Sequence, residues 1–209
     1  PEPPPPPPPP PDPPPTPPSP PDGGDPPDDG PDEPDEPTTP DPVGYVSGNV
    51  YEAVTDLRIP CPDVDLVFRR SYSSHSDVSG DLGYGWSHSY DWRVLRTGGK
   101  VIVRASGTGG ASDTCYTFKS VQAGLSVVNS GGHCLSRRAD GRYVLTTADR
   151  TRYAFTGGDR LSSVTTWNGT RIDVRRDSSG RIRRVRHANG RELAFTYSGD
   201  ALVRVETPD

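Results

Sequence analysis

Ser87, His88 and Asp91 stand close together and invite a hydrolytic reading, so they are the first place to look for chemistry. A serine nucleophile needs a base within hydrogen-bond reach and a third group to orient that base. Neighbours on one strand point to opposite faces, so Ser87 and His88 diverge, and no G-x-S-x-G elbow surrounds the serine. The residues read instead as structure, with Trp86, His88 and Tyr90 forming one strand face. The four histidines, His75, His88, His133 and His187, show no metal-ligand spacing, and the three cysteines form no C-x-x-C pair. No catalytic residue, metal ligand or cofactor site is expected. Cys115 and Cys134 are the one promising pair. Each lies beside a turn-rich stretch, and a disulfide between them would suit an exported protein, with two small reduced core residues as the alternative. Arg171, Arg175, Arg176, Arg181, Arg183, Arg184, Arg186 and Arg191 could attract a polyanion. They interleave with Ile172, Val174, Ile182 and Val185 and with no aromatic that could stack on bases, so they read as the solvent-facing or lining side of hairpins rather than a nucleic-acid site.

The elements that must position these residues are strands. From Val43 onward short runs keep a period of two, as in Val64, Leu66, Phe68 and Tyr72, or Tyr143 and Leu145. Turn pairs separate them: Gly98-Gly99, Gly131-Gly132, Asp140-Gly141, Gly157-Gly158, Asn168-Gly169 and Asn189-Gly190. The densest apolar burial is expected around Tyr84, Trp86, Tyr90 and Trp92. The last third repeats itself, in segments beginning at Asp149, Asn168 and Asn189. Each holds a strand with apolar residues two apart (Tyr153/Phe155, Ile172/Val174, Leu193/Phe195), a turn, and a second strand with apolar residues three apart (Leu161/Val164, Ile182/Val185, Leu202/Val205). The offset of three breaks simple alternation and predicts a bulge or sharp local twist. A lone hairpin cannot bury its own apolar face, so stacking of neighbours is required.

Residues 1–42 are a different object. They hold 24 of the 27 prolines and 11 acids with no Lys or Arg, so the overall charge of −5 averages an acidic segment and a basic remainder. With no aromatic residue and no aliphatic larger than proline, this segment has nothing to set against its chain entropy, and a disordered acidic proline-rich linker is expected. No run of about 18 apolar residues exists anywhere, so no membrane span is expected in this segment.

Three ordered blocks then resemble the conserved domain that precedes the repeats of Rhs proteins: DPVGYVSGNVYEAVTDLRIP over residues 41–60, DVDLVFRRSYSSHS around Asp65, and DLGYGWSHSYD over residues 81–91. The segment Asp177-Ser178-Ser179-Gly180-Arg181-Ile182 is similar to the D-x-x-G-R-[LI] half of a YD repeat, although the Tyr-Asp dipeptide itself is absent. The resemblance implies an all-β fold of stacked β-hairpins, the start of a shell that encloses a C-terminal toxin-like cargo absent here. It divides the chain into the linker (1–42), a conserved β domain (43–100), and a hairpin region running into YD-like repeats (101–209). The function so implied is that of a non-catalytic structural segment, secreted or on the cell surface, whose partner is the remainder of its own chain. An extracellular binding or adhesion module contacting glycans or a partner cell is the alternative. The sequence stops inside an apparent repeat, so a first segment of a longer protein is expected.

Overall fold

Alternating apolar residues and frequent turns produce strands only. The computed structural model describes residues 49–107 and 113–208; the linker expected over residues 1–42 lies outside them. Seventeen strands are formed among the described residues. The first eight are β1 (Tyr51–Ile59), β2 (Leu66–Ser73), β3 (Ser79–Gly80), β4 (Gly83–Tyr84), β5 (Trp86–His88), β6 (Arg93–Thr97), β7 (Lys100–Ala105) and β8 (Thr114–Lys119). The remaining nine are β9 (Ser126–Val128), β10 (Cys134–Arg137), β11 (Tyr143–Thr146), β12 (Arg152–Phe155), β13 (Leu161–Thr165), β14 (Arg171–Arg176), β15 (Ile182–His187), β16 (Glu192–Ser198) and β17 (Ala201–Glu206).

Strands β9 to β17 pair strictly in chain order, each antiparallel to the next, as one nine-stranded meander. The register places Val127, Leu135, Leu145, Tyr153, Val164, Ile172 and His187 opposite one another across seven strands, a continuous inner row. The expected bulge occurs in all three later hairpins at one equivalent place. Ser162, Arg183 and Val203 are each skipped in the pairing of their hairpin. That extra residue restores Leu161, Ile182 and Leu202 to the face that holds Val164, Val185 and Val205, which explains their spacing of three.

The loops share one construction as well. At Asn129, Arg138, Thr147, Thr156, Thr166, Asp177 and His187 the first residue donates its N–H to the carbonyl four residues on, and its own carbonyl accepts from the residue three on. The fourth residue is left-handed, at φ 83° for Gly180. Glycine takes that geometry without the Cβ penalty. Two loops put Arg150 (φ 66°) and Asp159 (φ 61°) there instead. Asp177 shows why an acid opens the D-x-x-G-R motif, because its carboxylate accepts the N–H groups of Ser179 and Arg181, both at 3.0 Å.

The first eight strands form three smaller sheets, β1-β2-β5, β3-β4 and β6-β7-β8. They cover the inner row of the meander, and one hydrophobic core runs through both layers. Phe195 meets Phe68, His88 and Tyr90, and Trp92 stacks on Tyr153 with ring centroids 4.1 Å apart and planes 14° from parallel. The cluster expected around Tyr84, Trp86, Tyr90 and Trp92 is only half realised. Tyr90 and Trp92 are buried, Trp86 is half-buried, and Tyr84 is 64% exposed. Tyr84 closes the two-residue strand β4, which pairs only with the equally short β3.

Candidate functional site

The Ser87, His88 and Asp91 side chains are not brought together. Ser87 Oγ donates to Asp113 Oδ1 at 3.3 Å, while His88 Nδ1 accepts the Tyr90 N–H at 3.2 Å. Asp91 forms a two-point ion pair with Arg93, at 2.9 and 3.2 Å. The His88 ring is buried against Phe68 and Phe195. Burial lowers its pKa, against an opposing pull from Asp91 and Asp81. Burial also pushes the Asp91 carboxyl upward, but the Arg93 hydrogen bond and charge outweigh it and hold the group below its ordinary value. Burial thus favours the neutral His88 imidazole, and Arg93 balances the Asp91 charge. Trp86, two residues from His88 on β5, packs against the Tyr72 ring, under the Arg70 guanidinium. Tyr90 lies beyond the end of β5 and is buried, with its phenol pKa raised by that burial.

Cys61, Cys115 and Cys134 are free thiols in this structure. Cys115 is exposed on β8 and Cys134 half-buried on β10. Their chain neighbours touch, with the Tyr116 and His133 rings 4.8 Å apart. Burial first, and then the charge of Asp113, raise the Cys115 pKa, so its thiol is poorly suited to act as a nucleophile at neutral pH. Among the described residues no group of three or more His, Cys, Asp and Glu could hold a metal ion. No helix there is long and apolar enough to cross a membrane.

Most of the arginine cluster is occupied. Arg171 pairs with Asp173, Arg181 and Arg183 with Asp177, and Arg184 with Glu192. Arg191 donates to the Pro60 carbonyl. Arg176 is occupied as well, in a largely buried role that sequence reasoning missed. The hairpin registers place it where Phe155 and Tyr197 stand in the neighbouring repeats, directly before the turn. It therefore occupies the aromatic slot of the repeat, with Asp177 as the following acid. Its guanidinium reaches the carbonyls of Gly180 at 3.0 Å and of Tyr90 and Leu161 at 3.4 Å. Burial, then the Arg160 charge, lower its pKa to about 10, so it remains cationic at neutral pH. Arg176 thus ties two strands of the meander to the covering layer. The signal was present in the spacing of the repeats, but an arginine in an aromatic slot does not look like core.

Among the described residues, Ser87, His88 and Asp91 each bond to a different partner. A family model described as a domain of unknown function (DUF6531) matches residues 40–109. The chain is 30% identical over 178 residues to a "Probable deoxyribonuclease RhsB" of Dickeya dadantii (strain 3937), and 31% identical over 178 residues to "Probable deoxyribonuclease RhsA" of the same strain. Each of these alignments covers 81% of the chain and 12% of the relative. A "Double-stranded DNA deaminase toxin A" of Burkholderia cenocepacia (strain H111) is 28% identical over 153 residues, which is 70% of the chain and 10% of that protein. The chain thus spans about an eighth of the length of the first two relatives.

Proposed function

Because the chain belongs to the Rhs family, we propose that it is a non-catalytic structural segment of a larger exported or surface protein. In this reading it forms the start of a β-hairpin shell around a C-terminal, toxin-like cargo. The conserved domain over residues 43–100 seats the strip, and residues 101–209 begin it. The observation that carries the reading is the meander itself. It repeats one hairpin device, has one face covered and ends on β17, whose outer edge no described strand pairs. Such an edge is a template for the next strand. The activities in the relatives' names would then belong to parts of those proteins outside the aligned 10–12%. Steric enclosure is the mechanism: stacked hairpins exclude proteases and solvent from the cargo, and the partner is the remainder of the same chain.

Cryo-electron microscopy of the longer protein containing this chain tests the reading. The meander should continue past β17 as further antiparallel strands surrounding a separate domain. A β17 edge facing solvent, with later domains held apart, would overturn it. The 209-residue chain incubated with duplex DNA and Mg²⁺ should neither cleave nor deaminate it. Export to an oxidising compartment further implies that Cys115 bonds to Cys134. Unreduced peptide mapping of the secreted protein should show that link, and a Cys61 link to either partner would contradict it.

A further inference from the structure

The outer face of the meander, away from the core, carries arginine charge that the structure leaves unbalanced, and this holds whether or not the strip forms a shell. The outward residues of β14 are Arg171, Asp173 and Arg175, and those of β15 include Arg184 and Arg186. The register sets Arg175 directly opposite Arg184, with Arg186 two residues along the same strand. Like charges directly opposite one another destabilise a strand pair. Two acids answer part of that charge. Asp173 pairs with Arg171 at 2.8 Å, and Glu192, from β16, pairs with Arg184 at 2.7 Å. Both acids stand opposite Arg186 in the register, but each carboxylate is committed to another arginine. Among the described residues the side chains of Arg175 and Arg186 form no ion pair or hydrogen bond, and both are exposed. Four arginines thus face two carboxylates, which leaves two positive charges without a counter-charge.

Three of these arginines converge. Arg175, Arg184, Arg186 and Glu192 line one depression of about 300 Å³. Arg175 and Arg186 are diagonal neighbours across the strand pair, a separation of ~7–8 Å that long side chains can bridge. Their two free forks can therefore meet on one group, beside Arg184. The Glu192 side chain, 17% exposed, holds the Arg184 guanidinium at the rim of that group.

We propose that this depression binds the phosphoryl group of a phosphate monoester. Such a group carries about −1.5 to −2 charges at neutral pH and three acceptor oxygens, which match two surplus charges and three guanidiniums. Arginine forks meet phosphate oxygens in pairs. A side-chain carboxylate offers one charge and two oxygens, so an acidic peptide fits less well. A nucleic-acid phosphodiester also carries one charge, and no aromatic ring lines the depression to stack on its bases. The pairing register is what selects this site from the longer run of arginines, because it alone shows which of them lack an acid.

The test is a titration of the isotope-labelled 209-residue chain with O-phosphoserine and with glycerol phosphate, followed by amide chemical shifts. Dimethyl phosphate and tetraglutamate serve as comparison probes. A monoester should give saturable shifts at Arg175, Arg184 and Arg186 in the millimolar range, with Arg175→Gln and Arg186→Gln each weakening it about tenfold. Neither arginine has a partner to lose, so both variants should fold. Binding should weaken as pH falls through about 6, where the monoester takes up its second proton. Arg152→Gln, on β12 and outside the depression, should bind like the parent chain. Co-sedimentation with phosphatidic acid vesicles, and not with phosphatidylcholine vesicles, would place the phosphoryl group on a lipid, whereas binding of the soluble esters alone would place it on a free ligand. No saturable response to a monoester would overturn the proposal, as would an equal response to dimethyl phosphate or a stronger one to tetraglutamate. So would equal weakening by Arg152→Gln, which would reduce the effect to general surface charge.

Discussion

The covering layer, strands β1 to β8, and the meander, strands β9 to β17, solve the same packing problem by different means. The meander repeats one loop, one bulge and one inner row, so each strand contributes an interchangeable part. The covering layer is built from single-use contacts. Gly107 is one example: its φ is 66°, and a Cβ there would sit 2.3 Å from the Ser89 nitrogen, so two strand ends cross at a distance only glycine permits. The comparison teaches where identity matters. In the repeated part geometry is enforced many times over, whereas in the covering layer and along the seam one side chain often holds the only copy of a function.

The seam between the two regions should therefore give the largest effects. Phe195 is 3% exposed and touches three aromatic rings of the covering layer. Phe195→Ala should lower unfolding stability by about 3–5 kcal/mol in urea denaturation. A loss below about 1 kcal/mol would mean that the regions fold independently and that the comparison is drawn too sharply.

Arg176 comes next. Arg176→Ala leaves its carbonyl partners without their cation and should cost about 2–3 kcal/mol. Arg176→Tyr, which restores the aromatic type found at the equivalent Tyr197, should lie within about 1 kcal/mol of the parent chain, as comparison of urea midpoints would show. Equal damage from both variants would show that the cation, and not the slot, is what the seam requires.

A pH effect separates the regions too. His88, in the covering layer, has its folded-state pKa lowered by burial. The unfolded chain takes up a proton near pH 6.5 and the folded chain does not, so this residue's contribution is present above that pH and is lost as pH falls. Stability should therefore fall with pH below the unfolded value, with a slope bounded by about 1.4 kcal/mol per pH unit. In His88→Gln, thermal melts between pH 7 and pH 5 should lose that part of the slope. An unchanged slope would place the titration elsewhere.

The smallest effects belong to the loops of the meander. Gly180→Ala, at φ 83°, should cost about 1 kcal/mol, whereas Arg150→Gly relieves a left-handed side chain and should be neutral or mildly stabilising. Calorimetric melting temperatures would rank the two. A reversed order would show that the loops are not equivalent parts.

This division also explains what could be read from the sequence. The all-β character, the later hairpins and the bulge implied by Leu161/Val164 and its two counterparts are local patterns, and local patterns leave a visible period. Asp159 escaped notice because Gly157 and Gly158 look like the turn, although the left-handed position falls one residue later. Tyr84 was misjudged because composition does not say whether a facing layer exists. The Trp92–Tyr153 stack and the Ser87–Asp113 bond join residues far apart in the chain, and no periodicity announces such a pairing.

The recurring bulge at Ser162, Arg183 and Val203 has a consequence for growth. A bulge steepens the right-handed twist of its strand, and each of these three hairpins receives the same increment from its own residues. Bending is thereby written into the repeat as a unit of arithmetic rather than imposed by a distant clamp. Duplicating or deleting one whole hairpin adds or removes one increment and leaves the inner and outer faces where they were. A lineage of such chains could lengthen or shorten its meander in whole steps, without redesigning a single interior contact elsewhere.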